Sequence, residues 1–251
     1  MRVHQVQGSG PREVGAWMAV WPDGAVNTIG GGHVEHVAMG HARMLLANLG
    51  EPAGIERYAL GPSLGQCCGG VVHLSFARIS ASDWPVLSSS LAPHAQPLAL
   101  FGGGHVGRAL VTALAPLPFA LRWIDSRDEI FPANVDPLVC CEHSDPVHAA
   151  VDDLESGSAV LIMSFSHAED LDVVASCLLR QRRCGDLPFI GLIGSKTKWA
   201  TFRHRLEARG FSEDELAQVT CPIGVPGIAG KAPEVVAVAV AAQLLQQPFM
   251  A

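Results

Sequence analysis

Residues 98–107 read Leu98-Ala99-Leu100-Phe101-Gly102-Gly103-Gly104-His105-Val106-Gly107, an apolar run that breaks into glycine and resumes as a helical pattern. The apolar run predicts a short strand buried on both faces. Gly102-x-Gly104-x-x-Gly107, set between a strand and a helix, is the spacing of a phosphate-cradling turn. One glycine permits the bend, one lets backbone approach a pyrophosphate at the helix N-terminus, and one lets helix pack on strand. Asp125, at the end of the next expected strand, stands where a ribose-binding carboxylate belongs. Arg127 is an alternative partner for a phosphate. The same glycines also serve close packing with no ligand at all, and the residues alone leave both readings open.

Working outward, strands and helices alternate through the rest of the chain. Strands are expected over 98–101, 119–124, 139–141, 159–163 and 189–193, with helices over 106–114, 169–182, 197–209 and 233–245. This alternation predicts a parallel sheet covered on both faces. The first 80 residues read differently, as a small glycine-rich α+β domain. A hairpin is expected from strands over 16–21 and 25–29 around Pro22-Asp23-Gly24, then a helix over 33–49 and strands over 55–60 and 71–76. Residues 81–96, with Pro85, Ser88-Ser89-Ser90 and Pro93, read as a linker. The expected organisation is residues 1–80, a linker, and a Rossmann-like domain over 97–251.

Composition narrows the function. Of 251 residues, 49% are hydrophobic and 16% charged, enough apolar material for packed cores. The net charge of −7 and the lack of a Lys/Arg run argue against nucleic acid as a partner. No apolar stretch approaches the roughly 18 residues needed to cross a bilayer, and Met1 to Gln5 lacks a signal-peptide pattern, so a cytoplasmic location is expected. The seven cysteines are an odd number with two vicinal pairs, Cys67-Cys68 and Cys140-Cys141, and no CxxC. That argues against both a disulfide framework and a zinc knuckle. Most of these thiols are expected to sit as small buried hydrophobes.

Further constellations surround the turn. Gln66-Cys67-Cys68-Gly69-Gly70 puts two thiols in bare backbone, where nearby amides favour the thiolate, the form that ligates metals. Two incidental cysteines in a glycine loop fit equally. Gly8-Ser9-Gly10-Pro11-Arg12 and Gly30-Gly31-Gly32-His33-Val34-Glu35 flank the hairpin and should lie at one end of it. They offer Arg12 as an anion clamp and Glu35 and His33 as polar ligands, or simply turns and a helix cap. Gly194-Ser195-Lys196 with Lys198, and His167, follow strands of the parallel sheet, and the loop ending at Gly230-Lys231 supplies further bare backbone and a cation. Those that follow strands can share the crevice at its carboxyl edge.

Taken in order, these motifs resemble the XdhC/CoxI family, the xanthine dehydrogenase accessory proteins. The resemblance runs from Gly8 to Leu245 and is most specific at Gln66-Cys67-Cys68-Gly69-Gly70 and at Pro222-Ile223-Gly224-x-Pro226-Gly227-Ile228-x-Gly230-Lys231-x-Pro233-Glu234. It implies an N-terminal XdhC/CoxI domain, a C-terminal Rossmann-like domain and a homodimer. It further implies a chaperone that binds molybdenum cofactor, protects it while a cysteine desulfurase supplies the sulfido ligand, and delivers it to a molybdenum hydroxylase apoenzyme.

On that resemblance Cys67 is the expected contact to molybdenum and Cys68 the second choice, thiolate being a soft ligand suited to a sulfur-bound metal. Gly69, Gly70 and Glu35 complete the expected N-terminal cofactor contacts. Arg12, Lys196, Lys231 and the turn at Gly102, Gly104 and Gly107, with Asp125, are the expected contacts to the phosphorylated tail. The chain departs from the family where Thr-His-x-His is expected and Ser164-Phe165-Ser166-His167 stands, and again at Gly10 and Trp17. The competing expectation is an NAD(P)-dependent oxidoreductase built on the Gly102 turn. It lacks a Tyr/Lys pair, since the one tyrosine, Tyr58, falls outside the Rossmann-like half. A third is a metal or redox module centred on Cys67-Cys68.

Overall fold

A computed structural model of the chain describes residues 1–48, 50–60, 69–83, 86–87 and 95–248. The chain divides into two compact units, Met1–Ala92 and Pro93–Ala251. The fold class is the expected one, a small α+β unit followed by a Rossmann-like parallel sheet.

In the first unit β1 (Arg2–Gln7), β4 (Ile55–Ala59) and β5 (Val71–Ser75) form an antiparallel sheet with β5 in the middle. A hairpin of β2 (Met18–Trp21) and β3 (Gly24–Asn27) leads to helix α1 (Gly32–Ala47). Trp21 pairs with Gly24, so Pro22 and Asp23 form a two-residue loop. Val34, Ala38 and Leu45 of α1 pack with Val3, Met18, Val72, Leu74 and Phe76 as one core. The helix ends without a basic residue of its own in its last turn. Arg78 comes from beyond β5 to donate to the carbonyls of Leu45, Asn48 and Glu51 at 2.7–3.1 Å, satisfying orphan acceptors of the helix end. β1 has no counterpart among the expected strands. Its register shifts between Val3 and Gln5, so the inward residues do not recur every second position.

The second unit carries β6 (Gln96–Phe101), α2 (His105–Leu114), β7 (Phe119–Asp125), β8 (Cys140–His143), β9 (Ala159–Ile162), α3 (His167–Cys184), β10 (Phe189–Leu192), α4 (Lys196–Ala208), α5 (Glu213–Leu216), β11 (Val219–Thr220) and α6 (Pro233–Leu245). The sheet runs β11-β10-β9-β6-β7-β8, every pair parallel. In this unit's own strand numbering that is 3-2-1-4-5-6, the dinucleotide-fold order, with the reversal between β6 and β9. Alternate residues feed opposite layers. Leu98, Leu100, Leu121, Trp123 and Leu161 pack beneath α2 and α6, while Ala99, Phe101, Ile124, Val160 and Ile162 pack beneath α3 and α4. Both faces are covered, which is why the strands read as continuous apolar runs.

Two expectations need correction. Of the five described cysteines only Cys177 is buried; Cys140, Cys141 and Cys184 are exposed and Cys221 lies between. Cys140 and Cys141 belong to β8, which has a partner on one side only, so neither reaches a core. β11 was not expected; two residues are too few to show a period. Among the described residues no helix is long and apolar enough to cross a membrane.

The switch point depends on Gly102. Its φ is +125°, and a Cβ there would lie 2.0 Å from the carbonyl oxygen of Met163 at the end of β9. Gly104, with φ of −69°, faces open space instead. Gly102→Ala is therefore expected to cost about 3 kcal/mol or more, and Gly104→Ala less than about 1 kcal/mol. Urea denaturation of the two variants measures the difference.

Candidate functional site

The glycine turn after β6 is braced from beneath and bare above. Trp123 Nε1 donates to the Gly102 carbonyl at 2.9 Å, and Arg108 of α2 donates to the carbonyls of Gly103 at 3.3 Å and Ile130 at 3.0 Å. A Cβ on Gly107 would lie 2.0 Å from the Gly102 oxygen, so the helix is pressed onto the turn. Its N-cap is Gly104, which offers no side-chain cap. No side chain caps the first amides of α2 at Gly104, and an uncapped helix start is the donor arrangement a phosphate needs.

Asp125 closes the end of β7. Its carboxylate accepts from the Gly103 amide at 2.5 Å and from the amide, Nε and Nη2 of Arg127, each at 2.9 Å. Burial pushes this carboxyl up, but the bonds from the Arg127 side chain and the Gly103 and Arg127 amides outweigh it and hold the group below its ordinary range. The Arg127 guanidinium lies 4.5 Å over the Phe165 ring. Glu169 joins the two loops, accepting from Ser126 Oγ at 2.9 Å and the Phe165 amide at 3.1 Å.

Beyond β9 and β10 a second polar cluster is buried. Lys198 Nζ donates to Asp170 Oδ2 at 2.6 Å and the Ile193 carbonyl at 2.9 Å, with its side chain 11% exposed. Asp170 also accepts from the Ser164 amide at 2.7 Å. Ser164 Oγ is buried without a partner among the described residues. Cys221 adjoins this pair; burial pushes its thiol up to about 11, against a downward pull from Lys198. The expected cation Lys196 is exposed, one residue into α4, and Lys231 is exposed ahead of α6. Neither is engaged by a partner among the described residues. His167 is exposed, edge-on to Phe202 at 6.3 Å. Asp170 is the residue the sequence reading missed. It shares the apolar stripe of α3 with Val173, Val174 and Cys177, and an acid on such a stripe signals a buried partner.

In the first unit the glycine motifs come together. Gly30, Gly31 and Gly32 all have positive φ. A Cβ on Gly30 would lie 2.4 Å from Pro11 Cβ, and one on Gly70 would lie 2.2 Å from the Ser9 carbonyl oxygen. The stretches at Gly8-Ser9, Pro11, Gly30 and Gly70 are therefore one corner. Glu35 holds it from inside, accepting from Thr28 Oγ1 at 2.5 Å and from the amides of Ile29 and Gly31 at 3.0 Å. Burial pushes Glu35 up, and the bonds from Thr28, Gly31, Ile29 and Gly30 bring it below its ordinary value. Arg12 forms an ion pair with Glu13 at 2.8 Å. Gly31 and Gly69 face open space. Cys67 and Cys68 lie outside the described residues. Among the described residues no group of three or more His, Cys, Asp or Glu side chains is placed to hold a metal ion.

Comparison with known proteins adds to this geometry. A family model described as the XdhC Rossmann domain matches residues 98–244, and one described as the XdhC and CoxI family matches residues 1–59. The chain is 28% identical over 244 residues to the Uncharacterized protein YqeB of Escherichia coli (strain K12), covering 96% of this chain and 41% of that one. It thus spans about two fifths of that relative's length. A crystal structure of a xanthine dehydrogenase from Bacillus halodurans superposes with a TM-score of 0.78 at 19% identity, covering 98% of this chain and 90% of that one. This last is a likeness of fold.

The Asp125 contacts predict a pH dependence. A carboxyl held below its ordinary value of 3.8 contributes its full stability above that pH and loses it as pH falls through the folded value. Asp125→Asn should cost about 2 kcal/mol at neutral pH, because Arg127 loses its counter-charge while staying partly solvated. The gap to wild type should close as pH falls below 3.8. Denaturant unfolding of both proteins between pH 7 and about pH 3 tests this, and a gap that stays constant counts against it.

Proposed function

The chain belongs to the XdhC and CoxI family, and from that premise we propose that it is an accessory protein of molybdenum hydroxylases. It binds molybdenum cofactor as cargo, supports its sulfuration by a cysteine desulfurase and delivers it to a xanthine dehydrogenase-type apoenzyme. The observation that carries this reading is the corner of the first unit, where Pro11 meets Gly30 and Ser9 meets Gly70. Cys67 and Cys68 directly precede Gly69 and Gly70 in the sequence.

The residues suit the cargo. Thiolate is a soft ligand for a metal already bound by sulfur, and a single such contact permits release where a closed cage would not. In this proposal Cys67 contacts or shields the metal and Cys68 stands second. Within the second unit, the uncapped start of the helix at Gly104 offers a seat for a phosphate group, and the exposed Lys196 and Lys231 contribute positive charge around the carboxyl edge of the sheet. Glu35 acts here through the glycine loop that it holds, as its bonds to Ile29 and Gly31 support.

A second reading, an NAD(P)-dependent oxidoreductase, draws support from the dinucleotide-fold strand order. It needs a proton donor near the turn. Tyr58 belongs to the first unit, where its hydroxyl lies 3.2 Å from His41 Nδ1 and burial, with Glu56 adding to it, pushes it up to about 12. Turnover of a carbonyl or alcohol substrate with NAD(P)H would favour this reading.

Anaerobic co-purification followed by fluorescence assay of the oxidised pterin tests the first reading. Cys67→Ala should lower retained pterin by about tenfold or more, a loss of roughly 1.4 kcal/mol. It should also reduce activation of a hydroxylase apoenzyme. Unchanged retention and unchanged activation would overturn the role given to Cys67.

A further inference from the structure

The Asp125 carboxylate has no acceptor capacity left. An ionised carboxylate offers about four lone-pair sites, and four N–H groups fill them. The Gly103 amide and Arg127 Nη2 bond Oδ2, while the Arg127 amide and Nε bond Oδ1. The residue is 1% exposed. A ribose hydroxyl that donates to this carboxylate, as in NAD-type recognition, must first displace the arginine fork.

Arg127 is placed differently. Its side chain is 31% exposed, and only Nε and Nη2 face Asp125. Its remaining N–H groups make no hydrogen bond among the described residues, although the charge of Glu169 also acts on the guanidinium. One face of the guanidinium rests on Phe165, itself 64% exposed. Glu169 fixes both walls of this seat through Ser126 and Phe165. Because Arg127 and the Gly103 amide bond the same carboxylate oxygen, the guanidinium lies beside the glycine turn.

We infer that Arg127 is the specificity-determining residue of this turn, rejecting dinucleotides whose ribose must be read by Asp125 and admitting a ligand that carries a phosphate monoester. A phosphate monoester takes a guanidinium edge bidentately and competes for it as an anion, whereas a neutral ribose diol cannot. The inference rests on the proposed function in one respect only, that the terminal phosphate of a pterin cofactor is such a group. The 2′-phosphate of an NADP-type dinucleotide is the other source.

Equilibrium binding to the full chain separates the two sources, using NADPH against NADH and the oxidised pterin phosphate against its dephosphorylated form. The wild-type chain should prefer at least one phosphorylated probe over its counterpart by about tenfold or more, and the pair that shows the preference identifies the source. Arg127→Ala should erase that preference and raise NADH affinity by about tenfold or more, since lone pairs of Asp125 are freed. Arg127→Lys keeps the charge but not the fork, and should gain NADH affinity to an intermediate degree; it carries the test if the alanine variant does not fold. A wild-type chain with no preference in either pair overturns the admission of phosphate monoesters. An Arg127 variant with unchanged NADH affinity overturns the rejection. Neither result bears on pterin retention by Cys67, so the two readings fail separately.

Discussion

Both units depend on backbone approaching backbone more closely than any side chain would allow. A Cβ on Gly102 would lie 2.0 Å from the Met163 oxygen, one on Gly107 2.0 Å from the Gly102 oxygen, and one on Gly70 2.2 Å from the Ser9 oxygen. No real Cβ sits at such distances, so these positions exclude every residue but glycine. The contacts fix the roots of the loops, while Gly31, Gly69 and Gly104 in the same loops meet nothing within 4 Å. A binding loop needs that combination of a fixed root and a bare face.

Charge follows from this frame. Carboxylates that stand at ligand-like positions are turned inward to hold the loops. Glu35 binds the amides of Ile29 and Gly31, Asp125 those of Gly103 and Arg127, Glu169 that of Phe165, and Asp170 that of Ser164 together with the Lys198 ammonium. Each acid is spent on architecture. What remains at the Gly102 turn is the uncapped start of the helix and the outer edge of Arg127, with the exposed acids Asp128 and Glu129 following in the chain. An overall charge of −7 therefore coexists with a local site suited to an anion.

The parallel sheet was legible because strands buried on both faces read as apolar runs and the glycine spacing sits between the first of them and a helix. β1 was not, because its bulge puts Val3 and Val6, rather than alternate residues, on the inner side. The exposure of Cys140 and Cys141 was hidden because a strand's place at the edge of a sheet is set by topology. The candidate residues were less legible in role. Sequence spacing identified Glu35 and Asp125 as special, but it does not distinguish a carboxylate that faces a ligand from one that faces its own loop. Spacing likewise does not tell the exposed Lys196 from Lys198, two residues on, which is buried against Asp170.

In the proposed role the chain must release what it holds, and the donor groups at the turn have a suitable strength. A hydrogen bond to a charged group is worth about 1.5–3 kcal/mol net. Two or three such bonds from the amides beside Gly104 give a phosphate roughly 3–9 kcal/mol before the cost of immobilising the ligand. Micromolar binding corresponds to about 8 kcal/mol, so phosphate contacts alone leave the ligand exchangeable. Exchangeable phosphate contacts suit the proposed delivery, and the four N–H groups on Asp125 leave it no acceptor for the ribose diol of an NAD-type dinucleotide.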